Sequence, residues 1–164
     1  MADPFVIAAL PCGPGTLALC PLPGRGGAFE ADMAQIRAFA PDLLVSMTET
    51  AERTALGATE LPQALARAGV GWRHFPVTDF GTPPPDADWA GIATDAHRIL
   101  ARGGRVLTQC RGGLGRSGMV ALRLMIEAGE DPDAALARLR AVRPGAVETD
   151  AQAAWARAPI GGPT

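Results

Sequence analysis

The segment that most constrains the fold is Gln109–Gly118, which reads QCRGGLGRSG. The short apolar segment Arg105–Thr108 runs directly into it, and an apolar helix predicted over Ser117–Ala128 follows. A strand, a glycine loop and a helix in this order are typical of a parallel α/β sheet. In such folds, ligands bind where the carboxyl end of a strand opens onto a helix N-terminus.

The remaining chain alternates between strand and helix patterns, with no internal repeat and no low-complexity linker. This alternation predicts an α/β fold, a single-domain sandwich over residues 1–164 whose central, largely parallel sheet is flanked by helices. Pro11–Gly27 is interpreted as loops around a short strand at Leu17–Cys20, and Thr48–Gly57 as a loop. The other predicted strands are Asp42–Met47 and Val70–Val77, and the other predicted helices are Glu30–Ala40, Leu61–Ala68, Trp89–Ala101, Asp131–Val142 and Thr149–Arg157.

Composition excludes several classes of function. The 164 residues carry a net charge of −2 and a pI near 5.6, so the chain lacks the basic face that nucleic acids or anionic membranes require. No apolar run is long enough to span a membrane, and the first ten residues lack the basic start of a signal peptide. Cys12, Cys20 and Cys110 form neither a metal-ligand pattern nor a disulfide framework. We therefore expect a cytoplasmic protein without a metal or cofactor.

The glycine loop has the chemistry of an oxyanion site with a nucleophile. Gly112, Gly113 and Gly115 permit the backbone dihedrals that direct several N–H groups to one point, where the helix dipole adds positive potential. Arg116 can grip two phosphate oxygens. The same field favours the thiolate form of Cys110, and Ser117 can donate to the sulfur when it leaves.

A nucleotide-binding loop is a different interpretation of the same glycines. That motif requires a glycine at the position of Cys110 and a lysine at the position of Arg116, so neither its first nor its lysine position matches this sequence.

Displacing an alcohol from phosphorus at neutral pH also requires a proton donor. The segment FPVTDFGTPPPD offers Asp79, which follows a predicted strand on a loop rich in glycine and proline. Asp86 and Asp88 are alternatives. Asp88 directly precedes the helix predicted from Trp89, where an N-cap is expected.

At this point the sequence resembles the cysteine-dependent protein phosphatases. QCRGGLGRSG resembles their signature, His-Cys-x5-Arg-Ser/Thr. GGLGRS together with PVTDFGTP resembles the dual-specificity phosphatases of the cyclin-dependent-kinase-inhibitor-associated type. LCPLPG at Leu19–Gly24 and RPGAVETDAQ at Arg143–Gln152 resemble outer segments of that group. The resemblance covers positions 17 to 157 approximately.

The resemblance implies a role for each matching residue. Cys110 attacks phosphorus and forms a phosphocysteine, Asp79 protonates the leaving oxygen and then activates water, and Ser117 eases departure of the thiolate. Gln152 matches the amide that positions the hydrolytic water, although a solvated helix residue is an equal interpretation. The phosphate oxygens are held by Arg116 and by the backbone N–H groups of the loop, namely those of Arg111, Gly112, Gly113, Leu114, Gly115 and Arg116.

Gln109 stands where the family usually has histidine, so the resemblance implies a slower or more alkaline enzyme. The expected function is metal-independent hydrolysis of phosphomonoesters on protein side chains, by a monomer whose partner is a phosphorylated protein or peptide. A catalytically weak phosphopeptide-binding module remains an alternative, as does a phosphatase of a phosphoinositide or RNA. An arsenate reductase is disfavoured, because resolving cysteines near the glycine loop are missing. A sulfur transferase is disfavoured, because such enzymes usually lack a separate loop with an acid like that of Asp79.

Two further expectations concern residues around the loop. Cys20 is a candidate to protect Cys110 through a disulfide, although a buried thiol without that role is the commoner case. Arg138, Arg140 and Arg143 are expected on a solvated helix face.

Overall fold

A computed structural model describes residues 4–159 of the chain. The first three and last five residues of the predicted domain lie outside the described residues. The five strands are β1 (Ala8–Cys12), β2 (Gly15–Cys20), β3 (Leu43–Ser46), β4 (Gly71–His74) and β5 (Arg105–Gln109). The seven helices are α1 (Phe29–Phe39), α2 (Thr50–Ala55), α3 (Leu61–Arg67), α4 (Trp89–Ala101), α5 (Gly115–Glu127), α6 (Pro132–Val142) and α7 (Asp150–Ala156).

The strands form one sheet in the order β1-β2-β5-β3-β4. β2, β5, β3 and β4 run parallel, and β1 is an antiparallel edge strand paired to β2. The predicted fold class, a largely parallel sheet between helices, is confirmed. β5 lies at the centre of the sheet, so the loop that follows it opens between the ends of β2 and β3.

Both faces of the sheet are buried, because alternate side chains along each strand point to opposite sides. Leu17 and Leu19 of β2 pack with α4, α5, α6 and α7, whereas Ala18 and Cys20 pack with α1 and α3. α5 is the most enclosed helix: its residues from Gly115 to Met125 are all buried. This burial explains the run of apolar residues from Met119 to Leu122 and fixes the helix that carries the end of the glycine loop.

Two elements differ from the sequence prediction. β1 falls partly in the segment predicted as loop; it contains Pro11, which a central strand would not accommodate but an edge strand tolerates. α2 falls in Thr48–Gly57, also predicted as loop. It is only six residues long, and a glutamate, Glu49, forms its N-cap through a capping box with Glu52. Neither feature gives a strong periodic signal.

None of the helices in residues 4–159 combines the length and the apolar character needed to cross a lipid bilayer.

Candidate active site

Cys110 lies at the carboxyl end of β5, directly before the glycine loop. Its side chain is buried, with 3% exposed, and its Sγ accepts a hydrogen bond from the Ser117 N–H at 3.4 Å. The Cys110 N–H in turn donates to the Cys20 carbonyl at 3.4 Å. The sulfur is thus held against the N-terminus of α5, where the helix dipole stabilises negative charge.

The loop is fixed from outside through its carbonyl groups. Every carbonyl oxygen from Cys110 to Leu114 accepts a hydrogen bond from a donor beyond the loop. The donors are the Gln109 amide to Cys110 (3.0 Å), the Leu22 N–H to Arg111 (3.1 Å), the Arg143 guanidinium to Gly112 (2.9 Å) and Gly113 (3.1 Å), and the N–H groups of Val147 and Gly118 to Leu114 (3.1 and 2.9 Å).

Because the carbonyl groups of the loop point outward, its N–H groups point in the opposite direction. The described residues contain no cis peptide bond, and in a trans peptide the C=O and N–H point in opposite directions. The N–H groups of residues 111–115 therefore face the concave side. Within residues 4–159, no backbone acceptor bonds the N–H groups of residues 111–114. Such a cluster of unpaired backbone donors is typical of anion-binding loops.

Arg116 is almost completely buried, with 1% of its side chain exposed. Its two terminal nitrogens bind the Glu52 carboxylate at 2.6 and 2.9 Å, and Nη1 also donates to the Val77 carbonyl at 2.8 Å. Burial alone would lower its pKa, but the bond to Glu52 and the charges of Cys110 and Asp79 raise it. Arg116 is therefore a permanent cation held in one orientation.

Glu52 is a residue that the sequence analysis missed. Its side chain is 15% exposed and projects from α2. Burial would raise its pKa, but the bonds from Arg116 and from the Glu49 N–H lower it, so it is an anion at neutral pH. The only sequence signal was a glutamate at the third position of a possible capping box.

Two buried donors at the start of α5 have no partner among the described residues: Nε of Arg116 and Oγ of Ser117. Leaving buried donors unpaired is costly, so native structures rarely do so without a functional reason. Both groups belong to the segment that the sequence predicted to bind phosphate. An oxyanion in the loop would offer them acceptors.

Asp79 lies across the loop, with Oδ1 at 3.2 Å from Arg116 Nη2 and 37% of its side chain exposed. It borders a cavity of about 350 Å³ that is also lined by Arg25, Phe80, Arg111 and Glu148. Phe80 is 59% exposed and adopts φ +63°, an unusual conformation for a bulky residue. The predicted acid therefore reaches the same opening as the glycine loop.

The alternative acids do not reach this cavity. Asp88 caps α4 by accepting the Gly91 N–H at 2.9 Å, as predicted. Asp86 is exposed on the loop before it.

Gln152 is fully buried at the start of α7. Its Oε1 accepts the Glu148 and Thr149 N–H groups at 2.9 and 3.3 Å, and its Nε2 donates to the Gly81 carbonyl at 3.1 Å. The interpretation of Gln152 as a solvated helix residue is therefore wrong. The amide joins α7 to the loop of Asp79, with one Nε2 hydrogen left over for a water or ligand.

The prediction that Arg138, Arg140 and Arg143 form a solvated face is wrong for Arg143, which is half-buried and binds the glycine loop. Arg138 and Arg140 are exposed, and Arg140 also donates to the Ala146 and Val147 carbonyls at 2.9 and 3.0 Å. The acceptors of Arg140 and Arg143 are backbone carbonyls, which a sequence pattern does not reveal.

All three cysteines are free and buried. Burial raises the pKa of the Cys20 thiol, with further increases from Cys110 and Asp32, and burial with Glu130 raises the pKa of Cys12 to about 11. Both thiols therefore stay neutral at physiological pH. Among residues 4–159, no three His, Cys, Asp or Glu side chains are grouped so that they could hold a metal ion.

Solved structures similar to this chain are dual-specificity and tyrosine phosphatases. Kinase associated phosphatase, with its catalytic-site cysteine replaced by serine, superposes with a TM-score of 0.82 at 24% identity, covering 96% of this chain and 94% of that one. Tk-PTP in its active form has 29% identity and a TM-score of 0.69, with coverages of 90% and 92%. Human DUSP28 has 18% identity and a TM-score of 0.61, with coverages of 95% and 92%.

No protein-family model matches the sequence, and no curated protein matches it. The resemblance predicted from the sequence is nevertheless confirmed at the level of structure, since the fold is that of these phosphatases. The neighbours support a phosphatase function and leave its substrate class open.

Proposed function

We propose that the protein is a metal-independent phosphomonoester hydrolase that acts through Cys110 on phosphorylated protein side chains. One observation carries this proposal: in the segment that begins with the buried Cys110 thiol, the loop N–H groups, Arg116 Nε and Ser117 Oγ have no partner among the described residues. Few ligands other than a tetrahedral oxyanion would satisfy so many converging donors. The likeness to the phosphatase structures supports the same conclusion.

In the first step, the Cys110 thiolate attacks phosphorus while the bond from phosphorus to the ester oxygen breaks. Asp79 transfers its proton to the departing alcohol. The charge of the transition state is spread over three phosphoryl oxygens, and the loop N–H groups and Arg116 stabilise it without reorganising. Glu52 holds Arg116 ready in that orientation.

In the second step, water attacks the phosphocysteine and Asp79 accepts its proton. The bond between sulfur and phosphorus breaks, and inorganic phosphate leaves. The Ser117 Oγ donates to the thiolate as it forms, beside the Ser117 N–H that already contacts the sulfur. Gln152 can support this step with its remaining amide hydrogen, since it borders the loop of Asp79.

Arg116 also connects binding of the substrate with release of the acid. Without substrate, Asp79 lies 3.2 Å from Arg116. A phosphate dianion in the loop competes for the same guanidinium, so binding of the substrate releases the Asp79 carboxyl group from its contact with Arg116.

The first test is hydrolysis of p-nitrophenyl phosphate between pH 5 and 8 with a chelator present. We expect turnover that vanadate inhibits, that Cys110→Ser reduces by at least about a thousandfold, and that Asp79→Ala reduces by about a hundredfold. The activity of Asp79→Ala should also lose its dependence on a protonated acid at the alkaline end.

A folded wild-type protein that binds vanadate but releases no phosphate would contradict the hydrolase and favour the phosphopeptide-binding module. Gln109 would then mark the loss of turnover.

A protein substrate is supported by the open rim of the site. Phe80 exposes an aromatic face beside Asp79, and the cavity carries both basic and acidic side chains, Arg25 and Arg111 with Glu148. A highly anionic lipid headgroup would meet the Glu148 carboxylate there. Comparison of kcat/KM for phosphotyrosine and phosphothreonine peptides with that for a phosphoinositide tests this choice; a preference for the lipid would overturn it.

We further propose a monomer that works in a reducing compartment such as the cytoplasm, because the reaction requires a free Cys110 thiol. Sedimentation of the purified protein tests the monomer.

A further inference from the structure

Arg143 forms a two-point contact with the glycine loop. It follows α6 directly, is half-buried, and donates from Nη2 to the Gly112 carbonyl at 2.9 Å and from Nε to the Gly113 carbonyl at 3.1 Å. The planar guanidinium thus binds two consecutive peptide groups at once. Its own backbone is fixed as well, because its N–H donates to the Leu139 carbonyl and its carbonyl accepts the Ala146 N–H.

These two peptide groups are the part of the loop with the greatest intrinsic freedom. Gly112 and Gly113 both lack a Cβ, and Gly113 has φ +69°, which few other residues adopt. A peptide plane between two glycines can rotate at low cost. If either plane rotated, the N–H of Gly113 or Leu114 would leave the concave side of the loop, and a carbonyl oxygen would face the bound anion.

Arg143 also differs in charge from the other donors to the loop carbonyls, which are neutral amide groups. A cationic donor forms a stronger hydrogen bond. Hydrogen bonds in a chain polarise one another, so a guanidinium on the C=O makes the N–H of the same peptide a better donor to an anion. The geometry therefore gives Arg143 an effect on phosphate that needs no direct contact with it.

We propose that Arg143 is a positioning residue that sets the oxyanion affinity of the loop by locking the Gly112 and Gly113 peptide groups. The inference rests on the proposed function only in taking the loop as an oxyanion site. According to this inference, an arginine is required at position 143 because its guanidinium donates to two carbonyl groups at once, which a lysine cannot do.

The experiment measures the dissociation constant for tungstate by calorimetry in the wild type, Arg143→Lys and Arg143→Met. Methionine keeps an apolar stem but has no donor. We expect Arg143→Met to bind tungstate about tenfold more weakly and Arg143→Lys about threefold more weakly, because lysine can serve one carbonyl at a time. In the hydrolysis assay, kcat/KM should fall in the same order.

The matched control is Arg138→Met. Arg138 lies in α6, close to Arg143 in the chain, but binds Glu130 and the Pro11 carbonyl, away from the loop. Its tungstate affinity should equal that of the wild type. Equal affinities in folded Arg143→Met and Arg138→Met would overturn the inference.

A second arm separates positioning from packing. Millimolar guanidinium should restore part of the tungstate affinity of Arg143→Ala and none of any loss in Arg138→Ala. If Arg143→Met does not unfold cooperatively, the tungstate affinity of Arg143→Lys is used instead, and an affinity equal to that of the wild type overturns the inference.

The outcomes also separate this inference from the proposed function. If turnover is the same with and without Arg143, only the inference about Arg143 is overturned. If tungstate binding depends on Arg143 but no turnover occurs, only the proposed hydrolase activity is overturned, and if the wild type binds no tungstate, both proposals are overturned.

Discussion

At the scale of single residues, the amide of Gln109 is fixed at both of its ends. Its Oε1 accepts the Ser46 hydroxyl at 2.6 Å, and its Nε2 donates to the Cys110 carbonyl at 3.0 Å and to the Thr48 hydroxyl at 3.2 Å. The side chain is fully buried. An amide carries no charge at any pH, so it supports the loop without the titration that a histidine would bring.

We predict that Gln109→His increases the reactivity of Cys110 at acidic pH. A protonated imidazole beside the Cys110 carbonyl would add positive potential near the sulfur, so alkylation by iodoacetamide at pH 6 should be about threefold faster than in the wild type. The measurement is the alkylation rate between pH 5 and 8. Ser46→Ala is the control, since it frees the amide and adds no charge. Superimposable pH profiles for wild type and Gln109→His would refute the prediction.

At the scale of elements, α5 and the segment after α6 meet at Gly118. A Cβ on Gly118 would lie 2.6 Å from the Val147 nitrogen, which donates to the Leu114 carbonyl at 3.1 Å. Val147 itself has φ +65°, a strained conformation for a β-branched side chain. The glycine therefore permits the close approach that holds one end of the glycine loop.

Gly118→Ala should displace Val147 and so damage both stability and anion binding. We expect a loss of about 1–3 kcal/mol in the free energy of unfolding, because overpacking forces the backbone to move. Tungstate affinity should also fall. Urea unfolding and calorimetry measure the two effects. Gly26→Ala is the control, because its added Cβ would enter open space. An affinity equal to that of the wild type would show that Val147 is dispensable.

The sequence predicted the parts of this site that are local in the chain. Cys110, Arg116 and the loop glycines lie within one short segment, where spacing alone indicates the chemistry. Glu52 and Arg143 were missed because their partners are distant: Glu52 binds Arg116 across 64 positions, and Arg143 binds Gly112 across 31. Only the sheet order, with β5 between β2 and β3, brings these segments together.

The helices and strands also divide into those that local sequence predicts and those that depend on distant contacts. α4 begins and ends at the predicted residues, since it combines a clear N-cap at Asp88 with regular apolar spacing. α2 and β1 were missed because a six-residue helix and a proline-containing edge strand depend on tertiary contacts more than on local pattern. The catalytic roles of Asp79, Ser117 and Gln152 stay predictions that the proposed assays test.

At the scale of the whole molecule, two partly buried carboxylates connect the elements. Glu52 joins α2 to Arg116, and Glu127 accepts hydrogen bonds from His97, Arg123 and Trp89 at 2.7–2.9 Å. Burial would raise the pKa of Glu127, but its three donors lower it, as Arg116 does for Glu52. Their stabilising effect is therefore present above the ordinary pKa of glutamate and is lost as the pH falls through the lowered values.

We predict that the urea midpoint falls as the pH is lowered from 6 to 3. At pH 7, Glu52→Gln should cost about 3 kcal/mol, because Arg116 would stay buried without its main counter-charge. The difference between this variant and the wild type should shrink as the pH falls through the lowered pKa of Glu52, because the wild-type carboxylate then also loses its charge. Urea unfolding at several pH values tests this, with exposed Glu60→Gln as control. If the stability difference between Glu52→Gln and the wild type stayed constant over this pH range, the ion pair between Glu52 and Arg116 would not be its cause.

The ring of donors behind the glycine loop also has a consequence for synthesis on the ribosome. Two of these donors, Arg143 and Val147, lie after the loop in the chain, so the nucleophile and its arginine are synthesised before them. A nascent chain that has emerged only as far as α5 would carry a cysteine without a formed cradle. The loop would then bind an oxyanion only after α6 and the segment that follows it had packed against the loop. Binding of an oxyanion would therefore report that folding is complete.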